Sequence, residues 1–184
     1  AVEGLAHDLP ITGIIWPEAL AYTRWLDLTL RQSDQTPAEH SAFLESGGRV
    51  TLPSEAEWEK AARGTEGQVF PWRSGPPPES VNFNSSEIRA VNAMDCSECA
   101  WGLSDMAGNV WEMTASPMQP YPYSEADDLE ALDGQALWVM RGGSFADGLG
   151  NIRAAVRGGV DPGVRNDAIG FRLVISTRPS VRNP

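Results

Sequence analysis

The side chains able to do chemistry are few and unevenly placed. Two cysteines, Cys96 and Cys99, form a single C-x-x-C, and the only histidines, His7 and His40, stand far from them and from each other. A structural zinc ion needs a full tetrahedral ligand set at characteristic spacing, so a local disulfide or two free thiols suits this pair better than half of a zinc site. Ser144 closes the run Arg141-Gly142-Gly143-Ser144 with no histidine near it to act as a base. A hydrolytic triad is therefore not expected, and the hydroxyl reads as a structural group in a glycine-rich turn. One pair has more suitable chemistry. Asp105 and Glu112 flank the glycine-bearing stretch Ala107-Gly108-Asn109. Calcium takes roughly six to eight oxygens from carboxylates and backbone carbonyls, which such a stretch supplies. Without a metal, the same carboxylates would cap a turn and pair with Arg141 or Arg172.

The elements that hold these groups must come from a chain of 184 residues with 41% hydrophobic content, enough for one domain with one core. The net charge of -11 repels a phosphate backbone and an anionic membrane surface alike, so nucleic acid is not an expected partner. No run approaches the roughly 18 to 20 apolar residues of a membrane span, and no charged region followed by an apolar run opens the sequence. The chain reads as soluble, with no membrane insertion, and the sequence assigns it no compartment.

Seven Trp, 18 Gly and 14 Pro are unusual numbers. Gly and Pro punctuate the chain from Gly64 onward, which predicts loops and short strands. Two helices are expected earlier. Over residues 17–30 a first-turn proline is followed by Ala21, Trp25 and Leu28 at helical spacing. The second starts at Ser54, with Glu57 in capping-box position, runs through Trp58 and Ala61, and stops at Gly64. Residues 64–101 read as ordered loop and residues 119–135 as a polar, acidic excursion. Residues 136–140 and 169–175 fit strands, and the tail from residue 177 reads as frayed. There is no internal repeat.

Several runs then carry a resemblance. Ile15-Trp16-Pro17-Glu18-Ala19 with Tyr22 and Trp25-Leu26, and Arg49 through Glu59 with Ala61-Ala62-Arg63-Gly64, resemble the first two signatures of the formylglycine-generating enzyme (sulfatase-modifying factor) family. Phe70-Pro71-Trp72, Gly102 through Glu112, Arg141 through Phe145, and Gly170-Phe171-Arg172-Leu173 follow in the family's order. Together they span most of residues 11–175. The resemblance implies a C-type-lectin-like α+β fold: two helices, a small twisted antiparallel sheet, and long ordered loops stabilised by tryptophans and calcium. Family members usually have strands before the first helix, whereas this sequence begins almost at the helix, so the resemblance leaves the completeness of the sheet open.

Carried over residue by residue, the family's calcium ligands would be Asp105 and Glu112 through side chains and Gly108 and Val110 through carbonyls. A second site would begin with Asn82 and the carbonyl of Phe83. The family enzymes oxidise a cysteine with copper held by two cysteines downstream of the Gly-Gly-Ser signature, and monovalent copper needs such soft thiolates. No cysteine follows Cys99 here; Asp147 stands nearest the first of those positions and the second has no counterpart. Neither copper nor copper-dependent catalysis is expected.

Residues 144–172 contain no Lys, Glu, Gln, Met or Trp. These are the residue types that an adenine-randomised Asn codon cannot reach. The segment is similar to those of diversity-generating retroelement variable proteins, whose lectin-fold domains often belong to the same family. In that register Arg153, Arg157, Pro162 and Arg165 fall on constant positions. Ala146, Asp147, Gly148, Gly150, Asn151, Val156, Gly158, Gly159, Val160, Asp161, Val164, Asn166, Asp167 and Ala168 fall on mutable ones. With Phe145 they would form an exposed face for an unknown protein or other macromolecular ligand. The plainer reading is an ordinary Gly/Ala-rich loop in a non-catalytic family member. The same motifs would also suit an enzyme or maturation factor of the family, or an accessory domain of a signalling protein.

Overall fold

The computed structural model describes residues 8–73, 75–91, 99–122 and 136–177. His7, Cys96, most of the acidic excursion and the end of the tail lie outside the described residues.

Helix α1 (Trp16–Gln32) begins with Pro17 in its first turn, and the Glu18 carboxylate accepts from the Ile15 amide ahead of it. Its buried side is Trp16, Ala19 and Thr23. The Trp16 ring stacks on Trp138 with centroids 3.8 Å apart, and its indole N–H donates to the Thr114 carbonyl at 2.8 Å. The sequence pattern points to another face: Ala21, Trp25 and Leu28 share helical spacing but are exposed. At about 100° per residue they lie opposite the buried stripe. Apolar residues on both sides of the helix leave the pattern without a unique answer.

A second helix, α2 (Ala38–Glu45), is absent from the sequence pattern; Leu44 is its single buried side chain, too little for a periodic signal. Arg31 near the end of α1 donates to the carbonyls of Leu44 and Gly48, which fixes the connection. Strand β1 (Arg49–Thr51) leads into α3 (Glu55–Arg63), whose capping box forms as its sequence predicts. Ser54 Oγ accepts from the Glu57 amide while the Ser54 amide donates to the Glu57 carboxylate. Among the described residues there are thus three α-helices rather than two.

The main sheet has the order β4-β3-β2-β5, formed by β2 (Trp111–Pro117), β3 (Trp138–Arg141), β4 (Arg157–Val160) and β5 (Ile169–Phe171). The pairs β2–β3 and β3–β4 are antiparallel, as expected, but β2–β5 is parallel. The run 169–175 is two strands: after Phe171 the chain leaves the main sheet, and β6 (Val174–Ser176) pairs antiparallel with β1. Neither β2, rich in buried polar residues, nor β4, with two central glycines, carries a strong strand signal.

Register divides the sheet into two chemically distinct faces. Glu112, Arg141 and Arg157 are cross-strand neighbours on the side of α3. Met113, Met140 and Gly158 are neighbours on the other side, where Trp16, Ala19, Leu52, Met113, Trp138 and Ile169 form the core. Trp111 belongs to this second side and is only partly covered.

Candidate binding face

The segment after β3 turns sharply through Gly142 and Gly143, at φ of 97° and 73°. A Cβ on Gly143 would lie 2.7 Å from Ile152 Cγ2, so the close return of the chain requires glycine there. Asp147 then gathers the loop around its carboxylate. Oδ2 accepts from the Ser144 amide at 2.9 Å, Ser144 Oγ at 2.7 Å and the Trp111 indole N–H at 2.9 Å, and Oδ1 accepts from Asn151 Nδ2 at 3.0 Å. Burial alone would raise the Asp147 pKa, but these hydrogen bonds outweigh it and hold it below the ordinary aspartate value. Backbone bonds secure the loop from the other side: Asn84 N–H to the Asp147 carbonyl, Ser85 N–H to that of Phe145, and Phe145 N–H to that of Asn109.

Between β4 and β5 a second loop is anchored to the start of α1. Arg165 forms paired bonds with Glu18 and donates to the Gly13 carbonyl, the Gly13 amide donates to Asn166 O, and the Trp16 amide donates to Pro162 O. Arg157 in β4 holds both oxygens of Glu55 and the carbonyl of Gln119. Arg153 donates to the Gly150 carbonyl within its own loop. Of the positions expected to be constant, Arg157 and Arg165 bond other elements through their side chains, Pro162 does so only through its backbone carbonyl, and Arg153 bonds only within its loop.

The proposed mutable positions have a different distribution. Ala146, Gly150, Asn151, Gly159, Asp161, Val164, Asn166 and Asp167 are exposed, and Phe145, Gly148, Val156, Gly158 and Ala168 are half-buried. Val160 departs from the expected exposure: its side chain is buried in the core on the α1 side of the sheet. Asp147 is only half-buried, but its carboxylate is committed to four internal donors.

Three parts of the segment converge on Trp111. Its indole N–H reaches Asp147, its amide donates to the Ala168 carbonyl, and a Cβ on Gly158 would lie 3.4 Å from its Cζ3. Sequence reasoning places Trp111 in a motif but not in the face. The available signal is its position beside the buried Glu112, since alternation along a strand sends neighbours to opposite faces.

The expected calcium ligands are placed differently from one another. Both oxygens of Glu112 accept from Arg172, and Oε2 also accepts from the Trp58 indole N–H. Burial works against the charge on Arg172, but Glu112 and Asp105 outweigh it and raise its pKa. A calcium ion at Asp105, Gly108, Val110 and Glu112 would have to share Glu112 with this guanidinium. The turn itself is tightly set: Asp105, Gly108 and Asn109 have positive φ, and a Cβ on Gly108 would lie 2.3 Å from the Asn82 carbonyl oxygen. Asn82 is buried, with its Nδ2 donating to Glu87 O and Asn109 Oδ1, while its own Oδ1 has no hydrogen-bond partner among the described residues. That orphaned oxygen fits a cation ligand. Among the described residues no three His, Cys, Asp or Glu side chains come together to hold a metal. Calcium would therefore depend on amide and carbonyl oxygens as well as acids. Cys99 is disulfide-bonded.

Helices on both sides of a small mixed sheet, with long loops pinned by tryptophans and arginines, define a C-type-lectin-like α+β scaffold. The profile of the Sulfatase-modifying factor enzyme 1-like domain matches residues 2–177, and the chain belongs to that family. It is 34% identical over 188 residues to the mouse (Mus musculus) protein named inactive C-alpha-formylglycine-generating enzyme 2, a match covering 92% of this chain and 50% of that protein. It is 29% identical over 188 residues to hercynine oxygenase of Mycolicibacterium smegmatis, covering 94% of this chain and 39% of that one. The chain thus spans half or less of the length of these relatives. Among solved structures, Treponema denticola variable protein 1 superposes with a TM-score of 0.70 at 25% identity, covering 97% of this chain and 74% of that chain. Among the described residues no helix is long and apolar enough to cross a membrane.

The Asp147 hub has a testable pH signature. A carboxyl whose folded pKa is depressed contributes stability above its unfolded value, near 3.8, and that contribution is lost as pH falls through the folded value. Urea unfolding of Asp147→Asn should therefore be less steeply pH-dependent than the parent across that acidic window, with lower stability than the parent at neutral pH.

Proposed function

We propose that this domain is a non-catalytic ligand-binding module whose recognition face is built from residues 145–168 and was diversified by a retroelement. The observation that carries this reading is the division within one segment. Arg157 and Arg165 tie the segment to α3 and to the start of α1 through their side chains, while most of the intervening positions are exposed. Such a division lets recognition change without disturbing the core. Likeness to a Treponema denticola variable protein supports the same reading. Partners are a protein or other macromolecule, with no nucleic acid, consistent with the acidic charge. Absence of any cysteine after Cys99, together with a relative named as inactive, favours binding over copper-dependent oxidation. Val160 and Asp147 are the weakest members of the proposed face, one buried and one internally bonded; substitution at either would act through the fold.

Calcium is proposed as a structural ion. Asn82 and the Phe83 carbonyl would contribute to one site, and Asp105, Gly108, Val110 and Glu112 to another, with Glu112 shared with Arg172. Its chemistry there would be to neutralise acidic groups and fix the loops that support the face.

The functional reading is tested by sequencing the codons of this domain across a natural population. Substitutions should concentrate in codons 144–172 at the mutable positions, sparing Arg153, Arg157, Pro162 and Arg165; an invariant segment would overturn the reading. For calcium, thermal unfolding should shift upward with millimolar CaCl2 and back with EGTA, by more in the parent than in Asn82→Ala. Identical melting in both conditions would remove calcium from the account.

A further inference from the structure

A cavity of about 820 Å³ opens between α1 and the chain leaving β5. Sites for small ligands commonly measure roughly 300–1,000 Å³ and combine apolar walls with a few polar groups. Ile11, Ile14 and Leu173 provide aliphatic wall, and Tyr22 meets Phe171 edge-to-face at 5.9 Å. Trp25 lies against Tyr22 at 5.4 Å and is 56% exposed, which extends the aromatic surface beyond the cavity along α1.

One end of this lining is polar. Arg165 Nη1 donates to Glu18 and to the Gly13 carbonyl, and Nη2 donates to the other oxygen of Glu18. A guanidinium has five N–H groups. Among the described residues, Arg165 Nε and the second hydrogen on Nη2 have no acceptor, and the side chain is half-exposed. Glu18 is less available: Oε2 accepts from the Ile15 amide and Arg165, and Oε1 from Arg165. Arg172, also on the lining, has its charge matched by Glu112. The polar end therefore offers fixed donors beside an aromatic wall.

We infer that this cavity binds an apolar carboxylate, an aromatic or aliphatic body lying on Tyr22 and Phe171 with its carboxylate on Arg165. Glu18 already takes the Nη1/Nη2 fork and matches the Arg165 charge, so a ligand carboxylate would be met by the second fork, Nε and the remaining Nη2 hydrogen, through geometry rather than net charge. None of the candidate face residues lines the cavity, so the site does not depend on a diversified face. The same chemistry occurs in a free acid and at the C-terminus of a polypeptide ending in an apolar residue.

The test is titration of the intact chain with 3-phenylpropionate, followed by amide chemical shifts. Saturable shifts should cluster around Tyr22, Arg165 and Phe171, and Arg165→Gln and Tyr22→Ala should each weaken binding by about tenfold or more. Arg165 also ties its loop to Glu18 and Gly13, so Tyr22→Ala, which breaks none of those bonds, separates the site from the loop: it should weaken binding while thermal unfolding stays unchanged. Absence of saturable shifts at millimolar ligand, binding unaffected by both substitutions, or equal binding of 3-phenylpropylamine would each overturn the proposal. The peptide Gly-Gly-Phe with a free C-terminus separates the sources: tighter binding than 3-phenylpropionate identifies a polypeptide terminus, and equal or weaker binding identifies a free acid. Population sequencing bears on the diversified face alone, so either idea can fail without the other.

Discussion

A guanidinium cannot shed its charge at ordinary pH, so a fully buried arginine must be matched where it lies. Arg141, at the end of β3, has no solvent exposure. Its Nη2 donates to Glu59, and its Nη1 lies 3.5 Å from Glu55 while donating to the carbonyls of Ala155 and Val156. The Trp58 ring lies 5.5 Å away. Glu55 is shared with Arg157, and Glu112, on the same side of the sheet, takes Arg172 and the Trp58 indole. These bonds fasten α3 to β2, β3, β4 and the chain beyond β5. Deleting one partner from such a buried network costs about 3–5 kcal/mol, because it strands the other charge, so its members must be kept together.

The network also explains how a loop-rich segment can be ordered. Two carbonyls in the middle of residues 144–172 are acceptors for Arg141, and Arg157 is held from below by Glu55. Asp147 closes the first loop, and the Arg165–Glu18 pair closes the second against the start of α1. The exposed positions lie between these anchors. Long-range order comes from a small set of side chains; Asn151, Asp161 and Asn166 add bonds within their own loops, and Ala146, Gly150 and Val164 are exposed between them.

Much of this arrangement is legible in the sequence, and the failures have identifiable causes. The α3 capping box and the fold family are legible because Ser54, Glu57, Gly64 and six ordered motifs are local patterns. The buried face of α1 is not, because Trp25 and Leu28 are as apolar as Trp16 and Ala19, and only the partner Trp138, far along the chain, decides between them. Helix α2 buries one leucine, and β4 contains Gly158-Gly159, so neither announces itself. In the candidate site, most of the positions expected on the face are exposed, but Val160 alternates inward and Asp147 is drawn into an internal bond set. Trp111 escapes sequence reasoning because its position among loops from three places is a property of the folded chain. The sequence offers Glu112 as a calcium ligand or as a partner of Arg141 or Arg172, and only the fold, which brings together residues sixty apart, selects Arg172.

Anchoring residues and exposed residues are interspersed within residues 144–172 but differ in what they touch. A stability scan of residues 144–172, with each variant displayed on a surface and scored by resistance to protease, measures that difference directly. Ala146, Gly150, Val164 and Asp167 should accept polar and apolar replacements with resistance close to the parent's, whereas Ser144, Ile152, Arg157 and Val160 should not. Uniform sensitivity across the segment, or tolerance concentrated at the anchors, would contradict the account.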